Sequence, residues 1–362
     1  MEDTFDILII GGGVAGITAA AALAPQASVA LLEAEDHLCY HASGRSAAMF
    51  LESYGNATVR ALNEASAEHH RSADGGVLKD RPMMMTAAAE DRADFEQESR
   101  AFSLTPISTA EALTYFPLLD PERSPLAAIR HDTSDIDTDL LVQNARRHAR
   151  AAGATIATGM RVADIRFDGV WQITTSNGDQ WQARTLINAA GAWADTVAQM
   201  AGVAPLGLVP YRRSMARIPL PDGLDPSGWA FVDGVREGWY AKPDAGMLIV
   251  SPSEADRSEP MDAWADDMVI AEGLARFQDH VTMEISRVQS TWAGLRTFAP
   301  DGSLVIGRDA DRPEFIWLAG QGGYGFQTAP AAAGLVADIA LNRPPALPAD
   351  IVTRLAPERF SR

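Results

Sequence analysis

Apolar runs and glycines at the start of the chain predict a βαβ unit. Residues 6–10 form a short, mostly apolar run that ends at three glycines, which is typical of a parallel strand buried on both faces. Residues 14–23 are rich in alanine and contain no proline, so we expect a helix. Residues 28–32 form a second apolar run that ends at Glu33. This order predicts a parallel sheet.

The rest of the chain contains further helical and extended patterns. Helices are expected over residues 57–69, 91–102 and 140–152, with Asp137 and Thr138 as capping candidates for the third. Short strands are expected over residues 154–156, 162–165, 170–175 and 181–187, with a hairpin turn at Asn177-Gly178. Strands dominate again between about residues 209 and 295, where residues 243–246 form a turn. A buried strand over 315–319 and a helix over 328–341 close the α/β pattern.

Composition and charge narrow the class of protein. A chain of 362 residues exceeds what one hydrophobic core usually organises, so two domains are expected. The formal net charge of -18 argues against nucleic acid and anionic lipid as partners. The single cysteine, Cys39, excludes a disulfide framework, and we expect it to be a small buried filler. His69 and His70 are expected on a solvated helix without partners for a metal.

The N-terminal sequence carries no targeting or membrane signal. Residues 1–6 contain three acidic residues and no Lys or Arg, unlike the start of a signal peptide. Three glycines interrupt the apolar stretch over residues 7–23, which makes it a poor membrane helix. We therefore expect a cytoplasmic protein without an integral membrane segment.

The glycines between the first strand and the first helix predict a dinucleotide site. Gly11, Gly13 and Gly16 satisfy the motif GxGxxG. In this motif the first glycine permits a tight turn, the second lets a pyrophosphate approach the backbone, and the third lets the helix pack on the sheet. Free N–H groups at the start of that helix would face the phosphates. Glu33 stands where an acidic residue would hold ribose hydroxyls. This motif alone does not separate NAD from FAD.

Two later segments favour a flavin. Ala190 and Gly191 follow a buried strand in a run of small residues that can cross beneath a dinucleotide. Residues 320–328 form a Gly-rich loop that opens the final helix, whose positive N-terminus suits a flavin ring that becomes anionic on reduction. Because nucleotide signals lie at both ends of the chain, we expect discontinuous domains.

Several longer runs carry a family resemblance. They are Tyr40 to Ala48 (YHASGRSAA), Asp135 to Asp139 (DIDTD), Tyr240 to Gly246 (YAKPDAG), Trp292 to Arg296 (WAGLR) and Gln321 to Gly325 (QGGYG). In this order they resemble the D-amino acid oxidase/glycine oxidase superfamily of FAD-dependent oxidoreductases, with bacterial D-arginine dehydrogenases the most similar branch. The resemblance implies a Rossmann-like FAD-binding domain (residues 1–80, 140–205 and 296–362) with a parallel sheet. It also implies an inserted substrate domain (residues 81–139 and 206–295) whose mainly antiparallel sheet roofs the flavin.

The resemblance also implies which residues hold the cofactor. The cofactor contacts would come from Gly11, Gly13, Val14, Ala15, Gly16, Glu33, Ala34, Ala42, Ser43, Gly44, Arg45, Ser46, Ala47, Ala48, Met49, Val162, Ala190, Gly191, Gly322, Gly323, Tyr324, Gly325, Phe326 and Gln327. Relatives of the sarcosine oxidase type attach flavin through a cysteine after the Leu-Arg pair, and this chain has none there. FAD is therefore expected to be non-covalent.

The substrate site implied by the resemblance is built on arginines and tyrosines. Arg296 would clamp a carboxylate as a bidentate fork, and Gly323 of the flavin loop is a further candidate. Tyr54 and Tyr240 would position the carboxylate and close the pocket, with Arg213 near its mouth. Each has a plainer interpretation: Arg296 as a surface ion pair, Tyr240 as strand core, and either Arg212 or Arg213 facing solvent.

Met83 bears on the substrate. Relatives that take D-arginine carry a carboxylate after the Arg-Pro pair, where this chain has Met83, Met84 and Met85. A buried guanidinium without an acidic partner is costly, so apolar D-amino acids are favoured over D-arginine. The alternative is that these three residues are ordinary strand core.

The resemblance implies oxidative deamination of a D-amino acid. Hydride would pass from the α-carbon to flavin N5, and the imino acid would hydrolyse to a 2-oxo acid and ammonia. The electron acceptor, O₂ or a quinone-type carrier, stays open. The alternatives are oxidation of an N-methyl or small amino acid such as sarcosine or glycine, an NAD-dependent reductase, and a non-catalytic FAD-binding subunit. The joint presence of Arg296 and both tyrosines argues against the last.

Overall fold

The computed structural model describes residues 4–360, whose strands form two large sheets and one small sheet. The strands are β1 (Phe5–Ile10), β2 (Val29–Leu32), β3 (Met49–Phe50), β4 (Leu78–Asp80), β5 (Met83–Ala87), β6 (Thr105–Ile107), β7 (Leu126–Arg130), β8 (Ser134–Ile136), β9 (Thr155–Ala157), β10 (Val162–Phe167), β11 (Trp171–Thr175), β12 (Gln180–Asn188), β13 (Val209–Pro219), β14 (Phe231–Gly234), β15 (Trp239–Asp244), β16 (Met247–Ser251), β17 (Asp256–Arg257), β18 (Ser290–Phe298), β19 (Val305–Arg308) and β20 (Phe315–Ala319). The helices are α1 (Val14–Leu23), α2 (Ala57–Ser72), α3 (Arg92–Ala101), α4 (Thr109–Tyr115), α5 (Thr138–Ala151), α6 (Ala194–Met200), α7 (Asp267–Gln278), α8 (Gly325–Ala340) and α9 (Ala349–Leu355).

The first sheet has a parallel centre, which confirms the predicted βαβ start. Strands β9, β2, β1, β12 and β20 lie side by side and run parallel. Ile7 and Ile9 pack with helices α1 and α8 on one face, while Leu8 and Ile10 pack with Trp171 on the other. Because both faces are covered, β1 is a continuous apolar run rather than an alternating one.

The second sheet is mainly antiparallel, as the resemblance implies. Its order is β17-β13-β16-β15-β14-β5-β7-β6 with β18 beside β13, and among these pairs only β14 and β5 run parallel within the described residues. Side chains such as Val232, Trp239 and Leu248 pack on one face. The other face looks toward the first sheet across a cavity, described below.

Most predicted elements are confirmed by the structure. Helix α1 and strand β20 have the predicted bounds, and Gly178 has φ +92 in the predicted hairpin turn. Asp137 caps α5, because its carboxylate accepts the Leu140 N–H at 2.9 Å. Thr138 is instead the first residue of that helix.

Three sequence predictions are corrected. Helix α7 lies in the region expected to be mostly strands, and Asp266 caps it by accepting from the N–H groups of Met268 and Val269. Helix α8 begins at Gly325, three residues before the predicted start. His70 does not lie on a solvated face: it is 0% exposed, because α2 packs beneath α8 and its Nε2 meets the Gln327 carbonyl at 2.9 Å.

The predicted domain boundaries stay a prediction. Strands of the first sheet come from residues 5–32, 155–188 and 305–319, and those of the second from residues 83–130 and 209–298. A three-stranded sheet of β3, β8 and β4 joins segments assigned to different domains. Among residues 4–360, no helix is both long and apolar enough to cross a membrane. Residues 1–3, which belong to the acidic segment compared above with a signal peptide, lie outside the described range.

Candidate active site

A cavity of about 840 Å³ lies between the two sheets. Its floor comes from the carboxyl ends of β1, β2 and β12, and its roof from the second sheet. Ligands of open parallel sheets bind at that edge, so the topology places the cavity where a dinucleotide is expected.

The glycine motif shapes one end of the cavity. Gly11 has φ +107, and a Cβ there would lie 2.4 Å from the Ala189 carbonyl oxygen, so the tight turn requires glycine. A Cβ on Gly16 would lie 1.9 Å from the Gly11 carbonyl oxygen, which shows that this glycine packs α1 on the sheet and does not line the cavity. Gly13, Val14 and Ala15 do line it, at a helix start where the Val14 N–H donates to Ser43 Oγ at 3.0 Å. The other N–H groups of this helix N-terminus are suited to a phosphate.

Glu33 is held rigidly at the end of β2. Its carboxylate accepts the Gly12 N–H at 2.6 Å and the Glu35 N–H at 2.9 Å. Ala34 and Val162 line the same end of the cavity. The fixed carboxylate keeps free lone pairs beside the glycine turn, where they can accept hydrogen bonds from ribose hydroxyls.

The segment of residues 42–49 forms a second wall. Seven of the eight predicted contacts line the cavity, namely Ala42, Ser43, Arg45, Ser46, Ala47, Ala48 and Met49. Gly44 does not, because it packs on the Cys39 carbonyl oxygen, 2.3 Å from where its Cβ would lie. The Lys242 ammonium donates to the Ala47 carbonyl and pairs with Asp135 at 2.8 Å, which ties this wall to the roof.

Cys39 differs from the expectation of a buried filler. It is half-buried in the cavity wall, with φ +61, and its sulfur approaches the Gly12 carbonyl oxygen at 3.7 Å. Burial raises the pKa of its thiol to about 12, so it is held as a thiol rather than a reactive thiolate.

The Gly-rich loop before α8 forms the wall nearest the roof. Gly322, Gly323, Gly325, Phe326 and Gln327 line the cavity, and so do Ala190 and Gly191 from the segment after β12. Tyr324 turns away from the cavity lining and stacks edge-on against Tyr54, with ring centroids 5.3 Å apart. The Gln327 side chain is fixed, because its Oε1 accepts the Leu51 N–H at 2.7 Å.

Two buried polar groups beside the Gly-rich loop are left without partners in the described part of the chain. They are Nε2 of Gln321 and Oγ1 of Thr297. Buried polar atoms are nearly always hydrogen-bonded, so a bound molecule with polar edges is expected to satisfy them. Together with the glycine turn, Glu33 and the start of α1, these residues fit FAD.

Two guanidinium groups face the cavity from the roof. Tyr211, Arg213 and Met215 of β13 lie opposite Arg296, Gly294 and Trp292 of β18, so all six share one face of the sheet. The Arg296 guanidinium forms no hydrogen bond or ion pair within residues 4–360. A Cβ on Gly323 would lie 3.4 Å from its central carbon. Arg212, on the opposite face, pairs with Asp256 at 3.0 Å.

Arg213 is buried beside Arg296. It is 7% exposed, its Nε donates to the Glu254 carbonyl at 2.8 Å, and its nearest carboxylate, that of Glu237, is 3.8 Å away. Burial, and then the charge of Arg296, lower the pKa of Arg213. Two cations at close range with so little neutralisation indicate a site for an anion.

Both predicted tyrosines line this part of the cavity. Tyr240 is 6% exposed and its hydroxyl has no partner among the described residues. Burial raises the pKa of Tyr54, which keeps its hydroxyl a hydrogen-bond donor at neutral pH. Two guanidinium groups and two tyrosine hydroxyls therefore line the same part of the cavity.

Met83 also lines the cavity, whereas Met84 and Met85 are core. Met83 lies opposite Phe231 of β14, and both face the cavity with Phe102 and Met215. Met84 and Met85 are fully buried in two separate apolar clusters. The interpretation of the three methionines as strand core is thus right for two of them.

Sequence reasoning missed the carboxyl groups of the cavity. Asp233, Glu98 and Glu237 line it near the apolar wall. Burial first, then the nearby carboxyls of Glu237 and Glu98, raise the pKa of Asp233 to about 8. The alternation Phe231, Val232, Asp233 in β14 was the available signal, since it places Asp233 on the same face as Phe231.

Comparisons with known proteins agree with this geometry. The family described as FAD dependent oxidoreductase (DAO) matches residues 6–339. A glycine oxidase of Bacillus licheniformis is 23% identical over 95% of this chain and 95% of its own length. The crystal structure of a glycine oxidase from Geobacillus kaustophilus has a TM-score of 0.82 at 22% identity, over 99% of this chain and 100% of that one. An α-glycerophosphate oxidase from Mycoplasma pneumoniae with FAD bound has a TM-score of 0.83 at 20% identity, over 94% and 95% of the two chains.

Proposed function

The chain belongs to the DAO family of FAD-dependent oxidoreductases, and we propose that it oxidises an amino acid at the α-carbon. The observation that carries the proposal is the Arg296 guanidinium, which has no partner among the described residues and faces the cavity beside Arg213. A guanidinium is the side chain best suited to hold a carboxylate in a fixed orientation. Arg296 is therefore the proposed carboxylate clamp.

The other roof residues would orient the substrate. Bound FAD supplies the acceptor for the hydride that leaves the α-carbon. Tyr54 and Tyr240 would donate hydrogen bonds to the same carboxylate, and Gly323 leaves room for the Arg296 fork. Fixing the carboxylate at two points would restrict the orientations open to the α-carbon, and such positioning is a large part of catalysis.

We further propose a D-amino acid with an apolar side chain. The D-configuration rests on the resemblance of the sequence runs to D-amino acid enzymes. The apolar preference rests on Met83, Phe231, Met215 and Phe102, which face the cavity together. Each methylene buried against them would contribute about 0.8 kcal/mol.

Oxidation of a small or N-methylated amino acid is the second candidate. It is favoured by the likeness to glycine oxidases along nearly the whole chain. It requires the same carboxylate clamp and differs only in the space beyond the α-carbon.

One experiment tests both candidates. The holoenzyme is mixed anaerobically with D-, L- and N-methyl amino acids, and bleaching of the visible flavin band is followed. D-leucine, D-methionine or D-phenylalanine should bleach it fastest. Faster bleaching by glycine or sarcosine would support the second candidate, and no bleaching by any amino acid would refute the proposal. Reoxidation by O₂ or by a quinone then identifies the acceptor.

A further inference from the structure

Asp233 is the carboxyl group of the cavity that has no partner. Its carboxyl group forms no hydrogen bond or ion pair with any residue from 4 to 360, although it lines the cavity and is half-buried. Directly opposite it on the neighbouring strand stands Tyr240, whose buried hydroxyl also lacks a partner. Because the Tyr240 hydroxyl is proposed to hold the substrate carboxylate, the neighbouring Asp233 carboxyl is placed to meet another group of the same ligand.

The charges around Asp233 explain why nothing in the protein neutralises it. Glu98 of α3 and Glu237 of the turn after β14 approach it as like charges, and Arg213 of β13 is the guanidinium that acts on it. The hydroxyl groups of Tyr54 and Tyr240 are the other polar side-chain groups near it.

The second cation near Asp233 is Arg236, and it already has acidic partners. Arg236 pairs with Asp91 and lies 3.6 Å from Asp94, while its backbone N–H donates to Glu98 at 3.0 Å. Arg213 is the cation nearest these carboxyl groups, with its guanidinium 3.8 Å from the Glu237 carboxylate, so guanidinium groups and carboxyl groups lie next to each other along the cavity wall.

We propose that Asp233 determines which side chains the pocket accepts. As a neutral acid it tolerates an apolar side chain, and as a carboxylate it pairs with the terminal cation of a basic side chain. This inference rests on the proposed function, because it assumes that the substrate carboxylate lies at Arg296 and directs its side chain toward β14.

The pocket therefore changes its preference with pH. Burial, and then the nearby carboxyls of Glu237 and Glu98, raise the pKa of Asp233 to about 8, so its carboxyl is mostly protonated at neutral pH and ionises above about pH 8. At neutral pH a cationic side chain gains nothing there, which agrees with an apolar preference. Above pH 8 the same position offers a buried counter-ion.

Two simple acids separate the two forms of the pocket without turnover. Hexanoate and 6-aminohexanoate both carry the carboxylate for Arg296 and lack the α-amino group, so neither is oxidised. The ammonium group of the second has a pKa near ~10.4 and stays charged at pH 6.5 and pH 9. Calorimetric titration of the holoenzyme at these two pH values gives the ratio of their association constants.

In the wild type this ratio, 6-aminohexanoate over hexanoate, should rise about tenfold or more from pH 6.5 to pH 9, because the ionised fraction of Asp233 rises from roughly 3% to roughly 90%. In Asp233→Asn the ratio should be equal at both pH values. Asp233→Ser repeats the measurement if the asparagine variant does not bind FAD. Glu237→Gln removes one of the carboxyl groups that raise the pKa of Asp233, so it should move the rise to lower pH without abolishing it.

The outcomes distinguish this inference from the function on which it rests. If both acids bind and their ratio does not change with pH, or if Asp233→Asn keeps the rise, the role of Asp233 is refuted and the carboxylate clamp stands. If neither acid binds at either pH, the clamp and the inference fall together. A rise that disappears in Asp233→Asn alone supports the assignment.

Discussion

Replacing Arg296 with alanine is expected to remove most of the catalytic efficiency toward carboxylated substrates. Its guanidinium has no other partner among residues 4–360, so the loss would report the contact with substrate rather than the loss of an internal ion pair. Arg296→Lys should rescue only part of the activity, because a point charge cannot reproduce a bidentate fork.

The magnitude follows from the geometry of the roof. A hydrogen bond to a charged group contributes about 1.5–3 kcal/mol, and a fork makes two of them. Arg213 remains in the variant and keeps part of the attraction, so we expect a loss of about 3 kcal/mol, roughly a hundredfold in kcat/KM. Because Arg296 repels Arg213, its removal should not lower the melting temperature.

The assay is the rate of anaerobic flavin reduction over a range of substrate concentrations. Arg212→Ala is the matched control. It removes a guanidinium of the neighbouring strand β13 that lies on the opposite face of the sheet and pairs with Asp256. It should keep the wild-type rate. Activity within about threefold of the wild type in Arg296→Ala, or an equal loss toward an amine without a carboxylate, would show that Arg296 is not the clamp.

Three further predictions concern the cofactor, the side-chain pocket and stability. Acid precipitation of the wild type should release FAD into the supernatant, and flavin that stays in the pellet would contradict non-covalent binding. Gly13→Glu should purify colourless, since a Cβ at this position would already lie 3.2 Å from Ser43 Oγ. Met83→Glu should raise kcat/KM for D-arginine and lower it for D-leucine, and equal changes for both would show that this side chain does not meet the substrate. Burial lowers the pKa of His70 to about 4, so the unfolded state binds protons first as pH falls. The free energy of unfolding should therefore fall by about 2 kcal/mol from pH 6.5 to pH 5, and urea unfolding of His70→Gln should show a smaller fall.

Local signals account for the elements predicted well. Helix α1 begins after a glycine turn and ends before Pro25, and the hairpin at Asn177-Gly178 needs a residue with positive φ at Gly178. The cap of α5 is likewise local, since Asp137 accepts from a backbone group three residues later. In each case the residues that determine the structure lie within a few positions of one another.

The misses depend on contacts between distant segments. His70 is polar and stands in a helix with many charged residues, and only the passage of α8 over α2 buries it. Gly44 and Tyr324 lie inside runs predicted to hold the cofactor, and their place outside the cavity lining likewise comes from packing on residues outside these runs, Cys39 and Tyr54 respectively. Helix α7 was missed because its surroundings along the chain are strands, and its start depends on a single capping residue, Asp266.

The candidate substrate site follows one rule, the alternation of side chains across the second sheet. Arg213 faces the cavity and Arg212 does not, and Met83 faces it while Met84 packs in the core beneath. A sequence shows which residues neighbour each other, but the face that each presents depends on the register of the strands, which is set by pairing with distant segments. Asp233 went unnoticed for this reason: its place opposite Tyr240 comes from the pairing of β14 with β15. Substrate preference should consequently respond to substitutions on the cavity face, whereas substitutions on the other face should change mainly stability.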